Sequence, residues 1–515
     1  MSELDSRMRA TAEDVLDELR EHLIELEPLD VHSRVGHVLA VGDGVARVVG
    51  LDRPFAGELL DVGGVDGIAE DLTEEEVRVV LLGRPSRVRA GDTVRRSGRV
   101  LDVPVGADLV GRVLDPLGRA IDGAEQPALR RRVRVHPRPA PLLDREPVHR
   151  PLRTGVFTLD TMIPIGLGQR QLVIGDRSTG KTELGLDILA SCDSEIIGVY
   201  VAIGRRGSET AANLEWLRAR GFFRHGFAVV SDADDPPGMV HLTPYAACSM
   251  AEELALSGRD VVVVYDDLTI HADIHRSLAL LLGRPVGREA HPVDVFYAHA
   301  RLLERATQFS QSHGGGSLTA FPLVETQSGD LTAYVPTNIV SITDGQIRLD
   351  TDLLASGLTP AVDVALSVSR VGGKAQPLVV RKLAGSFKNR YAQFLELESF
   401  ARFGTRLEAS SQAVVDWGRR VRQLLAQERG VTRSWSQTVA RLLIADSTGL
   451  VGTPLDDVGP RVDAWCRAIV AEPRFRAASI DDGALNGEDL EGLREVVRRI
   501  VDPPSADHGE DEAAP

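Results

Sequence analysis

The eight residues Gly175-Asp176-Arg177-Ser178-Thr179-Gly180-Lys181-Thr182 fit the spacing G-x-x-x-x-G-K-[ST] without a mismatch. Glycines in such a loop let the main chain turn until its N–H groups face phosphate oxygens. The lysine brings a point charge to the β- and γ-phosphates of a nucleotide, and the threonine hydroxyl can hold Mg²⁺. That chemistry needs a further carboxylate for the metal. Val261 to Val264, followed by Tyr265, Asp266 and Asp267, puts one at the carboxyl end of an apolar strand, where α/β sheets bind ligands, and Asp266 is the expected residue.

The loop must sit between a strand and a helix, and the flanking sequence supplies both: an apolar run at Leu172 to Ile174 and a helical stretch over Glu183 to Ala190. Further apolar runs at Ile196 to Ile203, Val229-Val230 and Val261 to Tyr265 alternate with helical segments. This is the pattern of a parallel sheet covered on both faces, whose strands have no polar side to show. Residues 101–376 are therefore expected to form a nucleotide-binding α/β domain. Upstream, β-branched runs broken by Asp43-Gly44, Gly63-Gly64 and Asp66-Gly67 predict a small β-barrel over residues 31–100, with Val38 to Val41 and Val45 to Val49 forming a hairpin. Residues 1–30 hold a short amphipathic helix over 11–27, ended by Pro28. After Pro377 helical spacing takes over, in Phe394, Leu397, Phe400 and Ala401 and then Val421, Leu424 and Leu425, so residues 377–501 are expected to be helical. Residues 502–515 carry five acids and no Lys or Arg, an acidic tail of disordered type.

Composition narrows the function. With 59 Lys and Arg against 75 Asp and Glu, the net charge of -16 disfavours a chain built to grip nucleic acid. Cys192, Cys248 and Cys466 lack the spacing of a disulfide or zinc framework and point to a reducing compartment. No run approaches 18 apolar residues and the N-terminus lacks the pattern of a signal peptide, so a soluble chain is expected, able to reach a membrane through a partner.

The chain resembles the alpha subunit of the F-type rotary ATP synthase over about Val31 to Ile444. The stretches that carry this are Val41-Gly-Asp-Gly-Val-Ala-Arg47, Pro164-Ile-Gly-Leu-Gly-Gln-Arg170, the phosphate loop, Tyr265-Asp-Asp-Leu268, Gly287-Arg-Glu-Ala290, Asp294-Val-Phe-Tyr297, Leu302-Leu-Glu-Arg305, Val335-Pro-Thr-Asn338, Ser341-Ile-Thr-Asp-Gly-Gln346 and Ser367-Val-Ser-Arg-Val-Gly372. Asp235-Pro-Pro-Gly238, Val371-Gly-Gly-Lys374 and Phe400-Ala-Arg-Phe-Gly404 are similar to the alternate, sodium-translocating N-type branch. The resemblance implies a barrel, a RecA-like P-loop domain and a helical domain. It implies three such chains alternating with three beta subunits around a gamma shaft, with epsilon and stalk subunits, at the cytoplasmic face of a cell membrane whose embedded sector moves H⁺ or Na⁺. It also implies bound ATP or ADP with Mg²⁺ on Gly175 to Thr182 and Asp266, and no nucleic acid.

In that family most catalytic sites belong to beta. Catalytic relatives carry Glu directly after the Gly that ends the strand Val199 to Ile203, whereas here Gly204 is followed by Arg205. Arginine accepts no proton at physiological pH, so a non-catalytic chain is expected, with Glu183 and Glu209 as the nearby carboxylates in sequence. Arg370 matches the family's arginine that crosses into the neighbouring beta site and neutralises charge on the transferring phosphoryl group, a role suited to a permanently charged planar fork. Pro360 and Gln427 match positions lining the adenine pocket, and Arg177 matches one that pairs with a carboxylate, for which Glu325 is the candidate. Ser178, Thr359 and Arg429 stand where the family usually has Gln, Arg and Gln. Two rivals predict different residues. A self-sufficient homohexameric export-type ATPase needs Glu at position 205, and an RNA-translocating hexamer needs stacking aromatics in a barrel where Phe55 stands alone between Val31 and Val100.

Overall fold

The hairpin expected at Asp43-Gly44 forms: β1 (Val35–Gly42) pairs antiparallel with β2 (Val45–Val49), and both turn residues take positive φ, 51° and 89°. Those angles suit the tight turn whose twist matches that of the strands. The protein is described by a computed structural model over residues 35–129, 131–402, 408–478, 480 and 487–502. The helix expected over 11–27 and the acidic tail beyond residue 502 lie outside the described residues.

Residues 35–100 form one compact unit. With β3 (Glu58–Val62), β4 (Val65–Leu72), β5 (Val77–Leu81) and β6 (Thr93–Val100), the first two strands close into a barrel in the order β1-β2-β5-β4-β3-β6. Alternation along each strand turns Val38, Val48, Leu60, Val62, Val79, Leu81 and Val94 into its core. One charge is buried beside it: the Glu58 carboxylate accepts from Arg96 Nε at 3.0 Å and from the Gly98 amide at 3.0 Å.

The second unit begins at Leu101 and is built on a mostly parallel sheet. Its strands run in the order Val368–Ser369, Gly345–Leu349, Leu172–Asp176, Ser317–Thr326, Asp260–Asp266, Ile196–Arg205, Gly226–Asp232 and Val113–Leu114, with only the first of these antiparallel to its neighbour. Residues 261–266 are buried without interruption, as a strand covered on both faces requires. Helices Lys181–Ser191 and Pro237–Leu256 pack against it.

The C-terminal helical domain is present as expected and shares an apolar core with this sheet. Phe157, ahead of the phosphate loop, meets Phe387 edge-on at 6.1 Å, and Phe387 meets Trp417 at 6.0 Å, so one apolar core runs from the sheet into helices Leu378–Arg402 and Ala409–Leu425. The apolar residues whose spacing marked this helix are not all buried. Phe394 is fully buried but Phe400 is 60% exposed. At about 100° per residue the two lie roughly 120° apart around the helix, so only Phe394 reaches the buried core. All three cysteines are buried and free. Among the described residues no helix is long and apolar enough to cross a membrane.

Behind the sheet, helices Pro237–Leu256, Leu268–Leu281 and Val295–Leu303 bring histidines together. His241 and His271 stack at 4.9 Å, and His271 Nδ1 lies 3.0 Å from His299 Nε2. Burial, and then the charge that His275 and His291 carry when protonated, pushes His299 down to about 3. A histidine in the unfolded chain titrates near about 6.5. Below that pH the unfolded state takes a proton the native state refuses, so this contribution to stability is complete above about pH 6.5 and is lost as pH falls. Wild type is expected to lose about 2 kcal/mol more than His299→Gln between pH 7 and pH 5, measured by chemical denaturation at each pH. Equal losses would contradict a neutral buried His299.

Candidate functional site

Parallel register gathers the site. Asp176 stands opposite Thr326, and Ala202 opposite Asp266, so the carboxyl ends of four strands meet at one edge of the sheet. Gly175 lies near the end of the strand before the loop, where a Cβ would sit 2.8 Å from both the Leu349 carbonyl oxygen and Thr179 Oγ1, which leaves room only for glycine. Gly180, at φ 96°, turns the chain into helix Lys181–Ser191. Lys181 Nζ donates to the carbonyls of Gly175 at 3.0 Å and Asp176 at 2.6 Å, and burial lowers its pKa.

A cavity of about 700 Å³ opens above the loop. Arg177, Ser178, Gly180, Lys181 and Thr182 line it from the phosphate loop, with Arg205, Glu209, Asp267 and Glu325 opposite. Thr182 Oγ1 lies 3.1 Å from both oxygens of Asp266, so the expected hydroxyl and carboxylate are brought together. These are hard oxygen donors of the kind Mg²⁺ takes, and a glycine-edged cradle beside Lys181 fits a polyphosphate.

Asp266 is held from behind by partners not foreseen in the sequence. The Tyr200 hydroxyl donates to it at 2.9 Å, and Asn213 Nδ2 donates to that hydroxyl at 3.1 Å. Tyr200 sits inside an apolar run and reads as core; only the break of a polar tip in that run marks it. Burial raises the pKa of Asp266, and burial followed by the Asp266 charge pushes Asp267 up to about 6. Asp267 also caps the next helix, accepting from the Ile270 amide at 2.9 Å.

Other expected residues stand elsewhere. The Asp176 carboxylate turns to Thr326 Oγ1 at 2.6 Å and the Gly329 amide at 2.8 Å, bracing the loop from outside the cavity. Gln427 is buried: its Nε2 donates to the carbonyls of Gly155 and Val431, its Oε1 accepts from the Phe157 amide, and its own amide meets the Thr359 carbonyl beside Pro360. Arg429 lies over the Trp216 ring at 4.7 Å. Arg177 and Glu325 both line the cavity without an ion pair between them, because Arg177 projects outward at the exposed tip of the loop.

Arg370 occupies the far edge of the sheet. Its amide donates to the Asp344 carbonyl at 2.8 Å, and the preceding Ser369 hydroxyl donates to Pro164 at 2.6 Å. Asp344 is itself gripped by Arg170 through two hydrogen bonds of 2.9 and 2.7 Å. The main chain is thus fixed while the Arg370 side chain is exposed, with no hydrogen bond or ion pair to any described residue.

Comparison with known families agrees with this geometry. Residues 155–369 match the nucleotide-binding domain of the ATP synthase alpha/beta family, 31–98 its beta-barrel domain and 376–500 its C-terminal domain. The chain belongs to the ATP synthase alpha/beta family. Its relatives in that family include ATP synthase subunit alpha 2 of Syntrophotalea carbinolica, 45% identical over 95% of this chain and 94% of the relative. Another is ATP synthase subunit alpha 1 of Pseudoalteromonas atlantica, 46% identical over 85% of this chain and 84% of its own length. As an alpha-type member of the ATP synthase family the chain is part of a complex that makes ATP, and its family binds nucleotides.

Proposed function

We propose that this chain is a non-catalytic, nucleotide-binding alpha subunit that lends Arg370 to the catalytic site of a neighbouring beta subunit. The observation that carries the non-catalytic half is Arg205. Hydrolysis needs a carboxylate within reach of the attacking water. In this cavity the position after Gly204 holds a cation, and Glu209, the nearest alternative base in sequence, is tied to that cation at 3.2 Å. Thr182 and Asp266 would hold Mg²⁺, which brings charge neutralisation to a bound polyphosphate, while Lys181 and the loop amides bind and orient the phosphates.

The arrangement we propose is an alternating ring of three alpha and three beta subunits around a gamma shaft, with epsilon and stalk subunits, coupling ATP synthesis or hydrolysis to H⁺ or Na⁺ movement. Similarity at Asp235-Pro-Pro-Gly238 and Val371-Gly-Gly-Lys374 supports the sodium-translocating branch. Such a head works at the cytoplasmic face of the cell membrane, peripherally and without nucleic acid. Purified alone, the chain is expected to hydrolyse ATP at least about 10³-fold more slowly than when co-purified with its beta and gamma partners, since the finger and the base then belong to one site. Comparable turnover by the lone chain would overturn the proposal in favour of a self-sufficient ATPase.

A further inference from the structure

Arg205 does more in this cavity than displace a base. Gly204, at φ 58°, bends the end of the strand where a Cβ would come within 2.8 Å of Val240 and 3.0 Å of Ile270. The turn leaves Arg205 beside the two buried carboxylates of the neighbouring strand. Its Nη1 lies 3.4 Å from Asp266 Oδ1 and 3.4 Å from Asp267 Oδ2, and its Nη2 lies 3.2 Å from Glu209. Three carboxylates share one guanidinium, none in a two-bond fork, and the buried Nε has no hydrogen-bond partner. The group lines the same cavity as Lys181 and Thr182.

Two adjacent carboxylates, 1% and 3% exposed, cannot both stay ionised without a cation close by. In a phosphate-loop site that cation is ordinarily the divalent ion delivered with the nucleotide. Here a permanent charge already stands on Asp266, the carboxylate that would receive the metal. It lowers the attraction of that carboxylate for a second cation. It also adds a permanently charged guanidinium to the wall of the cavity that the phosphate loop lines.

We propose that Arg205 is a tethered counter-cation which replaces much of the contribution of Mg²⁺ at this site, so that the chain binds nucleoside di- and triphosphates with little dependence on Mg²⁺. The proposal rests on the nucleotide-binding reading above and specifies its ionic requirement. It predicts a site whose occupancy follows nucleotide concentration rather than free Mg²⁺.

The test is equilibrium titration of the full-length chain with a fluorescent ADP derivative, in excess Mg²⁺ and again in EDTA. For wild type the two dissociation constants are expected to agree within about threefold. Arg205→Gln should weaken binding in EDTA by about tenfold or more, the size of one lost charge-assisted hydrogen bond, and recover most of it when Mg²⁺ is added. Arg205→Lys, which keeps the charge and guards against a folding defect in the glutamine variant, should retain most of the Mg²⁺ independence. A tenfold or larger gain from Mg²⁺ in wild type overturns the proposal, as does an Arg205→Gln variant with the wild-type ratio. In either of those cases binding that disappears in Lys181→Ala leaves the nucleotide-site reading standing. Absence of wild-type binding under both conditions removes both.

Discussion

Arg370→Ala is expected to lower ATP turnover of the assembled complex by about 10³ to 10⁵, the range over which arginines supplied across an interface act in phosphoryl transfer. The complex itself should still assemble, and this chain should keep its stability. Both halves follow from one geometry. The Arg370 amide is bonded to Asp344 and its neighbour Ser369 to Pro164, so the main chain is positioned without help from the guanidinium. The guanidinium is exposed and makes no hydrogen bond or ion pair with a described residue, so truncating it strands no buried partner within the chain. Charge alone does not replace it: Arg370→Lys keeps the cation but loses the planar fork and should recover only part of the activity. Steady-state hydrolysis of the co-purified complex, with size-exclusion chromatography to show that assembly is intact, checks each statement. Retained turnover in the alanine variant would remove the finger role.

The phosphate loop, Asp266 and the Asp43-Gly44 hairpin were legible in the sequence because each depends on residues close together in the chain. A turn needs positive φ at two adjacent positions, and a phosphate cradle needs its glycines at fixed spacing. What brings Arg205 onto Asp266 is different. Arg205 and Asp267 are 62 residues apart in the chain and Thr182 and Asp266 are 84 apart, separations no local pattern records, and the strands that carry Arg205 and Asp266 pair through a crossover in the sheet order. Tyr200 was hidden for a related reason: in a strand buried on both faces an aromatic reads as packing, and only its partner across the sheet turns its hydroxyl into a support for Asp266. Gln427 shows the limit of matching a residue to a role, since its amide nitrogen and oxygen are spent on the main chain of residues 155, 157 and 431.

Arg305 provides the opposite expectation for the same residue type. It lies in the stretch Leu302-Leu-Glu-Arg305, and nothing in the sequence separates it from a surface arginine. In the structure it is 3% exposed, with Nε and Nη2 donating to Glu252 at 3.0 and 2.6 Å, Nη1 to the Val135 carbonyl at 3.2 Å and Nη2 to Ser249 at 2.9 Å. The pair joins helix Pro237–Leu256 to the end of helix Val295–Leu303 and to the segment entering the nucleotide domain. Arg305→Ala should therefore destabilise the chain by about 3 to 5 kcal/mol, because Glu252 is left buried and unpaired. Most of that loss belongs to the stranded charge rather than to the bond. The double variant Glu252→Leu, Arg305→Met, which removes both charges and roughly keeps the volume, should accordingly be more stable than Arg305→Ala alone. Denaturant unfolding of wild type, Arg305→Ala and the double variant decides the matter: a double variant no more stable than Arg305→Ala would mean that the stranded carboxylate is not the source of the loss.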